Sequence, residues 1–190
     1  MGVPWRGRKA YREPIATSAP EFQIRRAQAQ DAPACARLQI TDPDAPPIDD
    51  RAGAMVRSLQ RPDRWLWVAA SGTEIVGFGR LAELSAADPV SAPPAGLYLS
   101  GVSVGDAHRR RGIGRALTRA RLAHAFGQQN ADLVWYFTNA NNEASIALHR
   151  EFGFVEVERP MRAAPISFAG GVGVLFMLSG DAWTAETERT

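Results

Sequence analysis

The chain has 190 residues, 45% hydrophobic and 22% charged, and its 22 basic and 20 acidic side chains leave a formal charge of +2. This composition supplies enough apolar material for a core and excludes a disordered or generally polybasic chain. A single cysteine, Cys35, excludes an intrachain disulfide and a cysteine-based zinc site, and no metal is expected.

Residues 1–20 read as a flexible basic segment, with Arg6, Arg8, Lys9 and Arg12 set against Glu13. They lack the continuous apolar stretch of a secretory signal, and Arg6 stands where a myristoylation signal needs Ser or Thr. The longest strongly apolar run, Val172 to Leu178, is far below the roughly 18 residues of a membrane span. A cytoplasmic protein with no membrane partner is the expectation. The globular domain is expected over residues 21–180, with 181–190 as a C-terminal tail.

Phe22 to Arg25 predicts a short strand, and Asp31-Ala-Pro33 a helix start whose apolar face, with Cys35 as a small apolar residue, ends at Leu38. Thr41 to Asp50 is too proline-rich for regular structure, and a short helix follows over Ala54 to Leu59. Trp65 to Ala70 and Ile75 to Leu84 are strand-like runs divided by the hairpin signal Ser71-Gly72-Thr73. After a second proline-rich break, Leu97 to Val104 predicts a strand in which Gly101 marks a bulge or a close backbone approach. Gly112 to Phe126 is helical, Asp132 to Thr138 a strand, Asn142 to Phe152 a helix, and Phe154 to Glu158 and Val172 to Leu178 are strands. A hairpin followed by strand–helix alternation predicts a mixed α/β, or α+β, sheet rather than an all-parallel one.

Charge is concentrated in one place. Residues 105 to 125 hold Arg109, Arg110, Arg111, Arg115, Arg119 and Arg121 against Asp106, a local +5, whereas the rest of the body, residues 21–190 with a total of −1, carries −6. Within it, Val102-Ser103-Val104 runs into glycines that open a helix, so unpaired backbone N–H groups and the positive end of a helix dipole converge there. This arrangement suits a phosphate, and a β-carbon at Gly112 or Gly114 would obstruct it. A Walker loop is excluded by the glycine spacing and the missing Lys, and a Rossmann fingerprint by Leu117 where glycine is required. Ile113, Leu117, Ala120 and Ala123 share one face of this helix, which makes it amphipathic; His124 falls on the same side as a satisfied, partly buried histidine.

The remaining pattern, Arg109-x-x-Gly112-x-Gly114, resembles the pyrophosphate signature Gln/Arg-x-x-Gly-x-Gly/Ala of the GNAT N-acetyltransferase superfamily. A second stretch, Asn142-x-x-Ser145-x-x-Leu148-His149-x-x-x-Gly153-Phe154, is similar to that family's Asn-x-x-Ala/Ser-x-x-Leu-Tyr-x-x-x-Gly-Phe. His149 replaces the tyrosine, as in phosphinothricin-type acetyltransferases. On a helix, Asn142, Ser145 and His149 would share a narrow polar face.

The resemblance implies a mixed, mostly antiparallel sheet with helices on both faces and a splayed parallel pair, Leu97 to Val104 with Asp132 to Thr138, that binds acyl-CoA. It implies that Val102, Ser103 and Val104 hold the pantetheine arm, that Arg109, Arg110, Arg111, Gly112, Ile113, Gly114 and Arg115 cradle the pyrophosphate, and that Asn142 and Ser145 meet the pantetheine or acyl region. The chemistry it implies is direct attack of a primary amine on the thioester of acetyl-CoA, with an oxyanion stabilised by a backbone N–H near Gly101. His149 would protonate the thiolate or position CoA. No carboxylate lies on the strand before the cradle, so Glu83 is the candidate base, acting through water. Asp42, Asp44, Asp49 and Asp50 occupy the loop region that contributes to the acceptor pocket in this family, which suggests a cationic amine. The final strands are expected to support a homodimer. Two other readings stand beside this one: an acyl-CoA-binding regulatory module without turnover, and a nucleic-acid-binding protein using the Arg-rich helix. The body charge of −1 and the lack of interleaved aromatics argue against nucleic acid.

Overall fold

The computed structural model describes residues 21–39, 45–85, 94–161 and 171–187. The expected flexible segment 1–20 lies outside them, as do Asp42 and Asp44. Seven strands form one sheet: β1 (Gln23–Arg26), β2 (Arg64–Ser71), β3 (Glu74–Leu84), β4 (Gly96–Val104), β5 (Leu133–Asn139), β6 (Val155–Met161) and β7 (Gly173–Ser179). Their spatial order is β1-β2-β3-β4-β5-β7-β6, and every neighbouring pair is antiparallel except β4 and β5. The mixed, mostly antiparallel sheet expected from the sequence is therefore present.

Helices cover both faces. On one, α1 (Ala32–Leu38) and α2 (Ile48–Leu59) bury Cys35, Ala36 and Met55 against Leu66, Val68 and Phe78. On the other, α3 (Ile113–Gly127), α4 (Glu143–Glu151) and α5 (Gly180–Thr187) cover Trp67, Leu99, Val134, Tyr136 and Phe176. Strand alternation explains the division, because Leu66 and Val68 point one way and Trp67 the other.

The approach of α3 to the sheet depends on two glycines of β3. A β-carbon at Gly77 would stand 3.1 Å from Ile113 Cγ2, and one at Gly79 would stand 3.0 Å from Arg121 Nε. The Arg121 side chain fills the space left above Gly79. It is 1% exposed, and it donates to the carbonyls of Leu117 and Arg80 and to Thr118 Oγ1. Burial without a carboxylate pulls its pKa down to about 9. Arg121 thus belongs to the core, although the charge map grouped it with the anion-binding arginines.

Three local expectations need correction. Helix α2 starts at Ile48, not Ala54, with Pro47 as its N-cap and Asp49 and Asp50 in its first turn. A proline before the first helical turn removes no intrahelical bond, and acids there favour the helix dipole, so proline content alone did not exclude a helix. Asp31 precedes α1, but its carboxylate accepts from Gln28 N–H at 2.8 Å and pairs with Arg25 at 2.7 Å instead of capping α1. The Arg25 guanidinium holds Asp31 below the usual carboxylate range. The expected tail 181–190 begins as helix α5, whose Trp183 is buried against Phe126 and Phe152.

A Gly77→Ala substitution forces a β-carbon against both Ile113 and the carbonyl of Ser103, 3.1 Å away. It is expected to lower stability by about 1–3 kcal/mol in urea denaturation, as overpacking does. An unchanged midpoint would show that α3 does not depend on that close approach.

Candidate functional site

Strands β4 and β5 pair only at Leu97↔Val134, Tyr98↔Trp135 and Leu99↔Tyr136. Beyond Leu99, β4 remains with β3, pairing Val102 with Gly79 and Val104 with Gly77, while β5 follows β7 along its whole length. The two strands part, and the β4 edge from Val102 to Val104 faces an opening instead of a neighbour. The irregularity that starts the separation is at Gly101. Register passes from Arg80↔Ser100 to Gly79↔Val102, which leaves Gly101 unopposed at φ +54°, a conformation that favours glycine.

The opening is a cavity of about 730 Å³ lined by Val102, Ser103, Val104, Arg109, Arg110, Gly112, Ile113, Gly114, Arg115, Asn142 and Ser145, together with His108, Leu148 and Glu151. Eleven residues proposed from sequence for acyl-CoA binding are therefore brought to one wall; of that set, Arg111 is absent from the lining. Its side chain pairs with Glu21 at 2.9 Å.

The start of α3 supplies the cradle. Gly112 is the N-cap at φ +81°, Arg110 is also left-handed at φ +61°, and the first intrahelical bond is Ala116 N–H to the Gly112 carbonyl. The N–H groups of the preceding turn therefore have no intrahelical acceptor. Gly114 brings α3 near α4, since a β-carbon there would lie 3.5 Å from Leu148 Cδ2. Among the arginines, Arg109 pairs with Asp106 and Arg115 with Glu151, whereas Arg110 has no ion pair among the described residues. Arg119 lies over the Phe152 ring. Among the described residues, the free cationic head at the cradle is Arg110.

The polar stripe of α4 divides. Asn142 caps the helix, accepting from Ser145 N–H at 3.2 Å, and Ser145 shares a hydrogen bond with the Tyr136 hydroxyl. His149 lies behind the cavity wall and does not line it: it is 2% exposed, stacked on Tyr136 with ring centroids 3.6 Å apart, and bonded through Nδ1 to the Ser145 carbonyl at 2.8 Å. Burial pushes its pKa down to about 3, so the imidazole is neutral and Nδ1–H is the donor. That environment opposes thiolate protonation by an imidazolium, one of the ways in which His149 could take the roles expected from sequence. Glu83 is also elsewhere. It is exposed, pairs with Leu97, and sits three residues past Arg80 along β3, roughly 10 Å at about 3.3 Å per residue.

A second cavity, of about 380 Å³, opens on the α2 side of the sheet, with Arg51, Met55, Leu59, Trp65, Arg80 and Ser100 in its wall. Ser100 lines this cavity and Val102 the first, so Gly101 stands between the two. Sequence reasoning had not singled out Arg80. Its signal was a charged residue at an inward position of a strand, two residues from buried Phe78 and two from buried Ala82. Tyr136 was hidden in an apolar run, and only the fold brings it to Ser145 and His149.

Residues 28–154 match the family model described as Acetyltransferase (GNAT) family. The chain belongs to the GNAT acetyltransferase family. Among curated proteins, GNAT relatives include N-acetyltransferase 8F1 of Mus musculus, 40% identical over 91 residues that cover 46% of this chain and 38% of that protein. The N-alpha-acetyltransferase RimI of Mycobacterium tuberculosis is 31% identical over 131 residues, covering 67% of this chain and 74% of RimI. The chain thus matches well under half the length of the mouse relative. The GNAT fold is shared with yncA of Salmonella typhimurium, solved with its cofactor acetyl-CoA, at a TM-score of 0.66 and 18% identity over 85% of this chain and 95% of that one. It is also shared with the spermidine/spermine N-acetyltransferase SpeG of Vibrio cholerae, at a TM-score of 0.67 and 13% identity over 88% and 98% of the two chains. Among the described residues, no helix is long and apolar enough to cross a membrane.

Two outcomes are expected from the site's electrostatics. Arg110→Ala should weaken acetyl-CoA binding by about three- to tenfold at low salt, while Arg111→Ala changes it little, because only Arg110 offers an unpaired charge at the cavity. Equal losses in calorimetric titration would refute that ranking. Because His149 is neutral in the fold and titrates near 6.5 when unfolded, unfolding takes up a proton between about pH 3 and 6.5. Stability should therefore fall as pH drops through that window and stay flat above it, and His149→Phe should flatten the fall in urea melts at pH 5 and pH 8.

Proposed function

We propose that this chain transfers an acetyl group from acetyl-CoA to a primary amine of a small molecule by direct attack. The observation that carries this reading is the parting of β4 and β5 beside the uncapped start of α3, which sets an unpaired strand edge and free N–H groups along one 730 Å³ cleft. A cofactor with an amide-bearing arm and a pyrophosphate fits those two features. The yncA structure, solved with acetyl-CoA, supports the choice of donor.

In this reading Val102 to Val104 hydrogen-bond the pantetheine amides, and the turn from Arg109 to Arg115 receives the pyrophosphate with Arg110 as its free counter-charge. Asn142 and Ser145 border the arm on the α4 side. The amine comes from the cavity beyond Gly101 and attacks the thioester carbon. The C–N bond forms, the carbonyl oxygen takes negative charge, and a backbone N–H beside the bulge stabilises it. The C–S bond then breaks, the amine's proton leaves to water, and the departing sulfur is protonated to give the CoA thiol and an N-acetyl amine. Ser145, tied to the Tyr136 hydroxyl, is the protic side chain that the cleft wall offers for that step. His149 supports this wall as a neutral, stacked spacer.

Isothermal titration with acetyl-CoA tests the reading. Micromolar binding is expected for the wild type and none for the double substitution Gly112→Asp, Gly114→Asp, whose carboxylates fill and repel the cradle. Ser145→Ala should bind the donor normally yet release CoA thiol about tenfold more slowly when an acceptor is present. No acetyl-CoA binding by folded wild type would overturn the proposal. Binding without thiol release from any amine would favour a regulatory acyl-CoA module instead.

A further inference from the structure

Among the described residues, two buried side-chain polar atoms lack a hydrogen-bond partner, Arg51 Nε and Arg80 Nε, and both arginines line the 380 Å³ cavity. Buried donors are nearly always paired, so two guanidinium groups left short of acceptors at the wall of one cavity point to an anion that a ligand supplies. The rest of each group is little better satisfied. Arg51 Nη1 donates to the Ala36 carbonyl at 2.9 Å and to that of Gln39 at 3.5 Å, with no carboxylate involved. Arg80 has no side-chain hydrogen bond or ion pair among the described residues; its guanidinium lies over the Phe78 ring at 5.3 Å. Nearby Cys35 provides no counter-charge, because burial pushes its thiol up to about 11.

The third arginine of this wall, Arg64, is already neutralised by Asp63 at 2.9 Å. Among the described residues lining the cavity there is no Asp or Glu. Asp49 and Asp50, two of the acids expected to attract a cationic amine, stand exposed on the first turn of α2 and outside this wall. The described wall is therefore cationic, with an apolar remainder that includes Met55, Leu59 and Leu66.

We propose that the acceptor is an amine that also bears a carboxylate, an α-amino acid or its derivative with an apolar side chain, whose carboxylate pairs with Arg80 and Arg51. This rests on the acetyltransferase reading above and specifies its acceptor. Geometry links the two groups. Arg80 pairs with Ser100 across the strands, immediately before the bulge at Gly101, and a β-carbon at Gly101 would lie 3.9 Å from Arg80 Nε. A carboxylate held there leaves the amine, two bonds from the carboxyl carbon, beside the residue that separates the acceptor cavity from the donor cleft. The apolar side chain then lies against Met55, Leu59 and Leu66. A polyamine would set its charges against two uncompensated arginines, which selects against it.

The test uses matched acceptors with the full-length chain: phenylalanine, phenylalaninamide, phenethylamine and spermidine, read by CoA thiol release. Calorimetric binding of N-acetylphenylalanine and its primary amide to the CoA-saturated protein provides a second readout. The carboxylate compounds should exceed their amides by at least about tenfold in kcat/KM and in affinity. Arg80→Met should abolish that preference without altering acetyl-CoA affinity, and Arg51→Met provides the same test should Arg80→Met fail to fold. Acetyl-CoA binding with no discrimination between carboxylate and amide, with a preference for spermidine, or with no binding of either acetylated product, would overturn this inference alone. Loss of acetyl-CoA binding by the wild type would remove the acetyltransferase reading together with it.

Discussion

The architecture turns on a pairing that stops. Three residue pairs join β4 to β5, and past Leu99 each strand continues with a different neighbour. Strands β1 to β4 form one half of the sheet and β5, β7 and β6 the other, so the sheet is divided where a ligand can enter. An exposed strand edge is normally covered or blunted, because unpaired N–H and C=O groups invite another strand. Here the edge lies inside the molecule, opposite α4 and beneath the first turn of α3. Glycine determines that arrangement three times: Gly101 takes up the extra residue of the bulge, Gly112 makes the left-handed entry to α3, and Gly77 lets Ile113 rest on β3.

Arginine has three different physical roles in the same small volume. Arg121 is a packing element, its guanidinium satisfied by two carbonyls and a hydroxyl in the space that Gly79 leaves. Arg109, Arg111 and Arg115 are surface charges tied to nearby acids. Arg110, at the cleft, and Arg51 and Arg80, in the second cavity, lack an anionic partner among the described residues. A cation is informative about ligands only after its internal partners have been identified. By that criterion the cleft presents one open guanidinium and the second cavity two, separated by the bulge at Gly101.

Histidine shows how far a motif carries without its surroundings. The helical spacing of Asn142, Ser145 and His149 suggested a shared polar face, and the first two do reach the cleft. One further turn along, α4 passes under Phe154 and against β5, and His149 is enclosed between aromatic rings. An imidazole in that position keeps one proton, donates it to the helix backbone and does not become a cation near neutral pH. A residue type that suggests acid–base chemistry thus serves here as a polar packing unit.

The sequence by itself determined the strands and helices from β2 to α4 to within a residue or two, the bulge at Gly101, and the glycines and arginines that converge on the start of α3. Each of these depends on local chemistry: period-two alternation, turn residues, a left-handed position or a helix N-terminus. The length of α2 and the helix in the expected tail were misread, because proline content and chain-end position say little once a segment has an apolar face to bury. Only the tertiary structure decided which charges are available. Whether an arginine is core, paired or open, and whether a histidine can protonate, depends on groups dozens of residues away: Gly79 beneath Arg121, Phe154 beside His149, and α2 facing the strand that carries Arg80. Solvation and partners determine the chemistry of an ionisable side chain, and the chain acquires both only on folding.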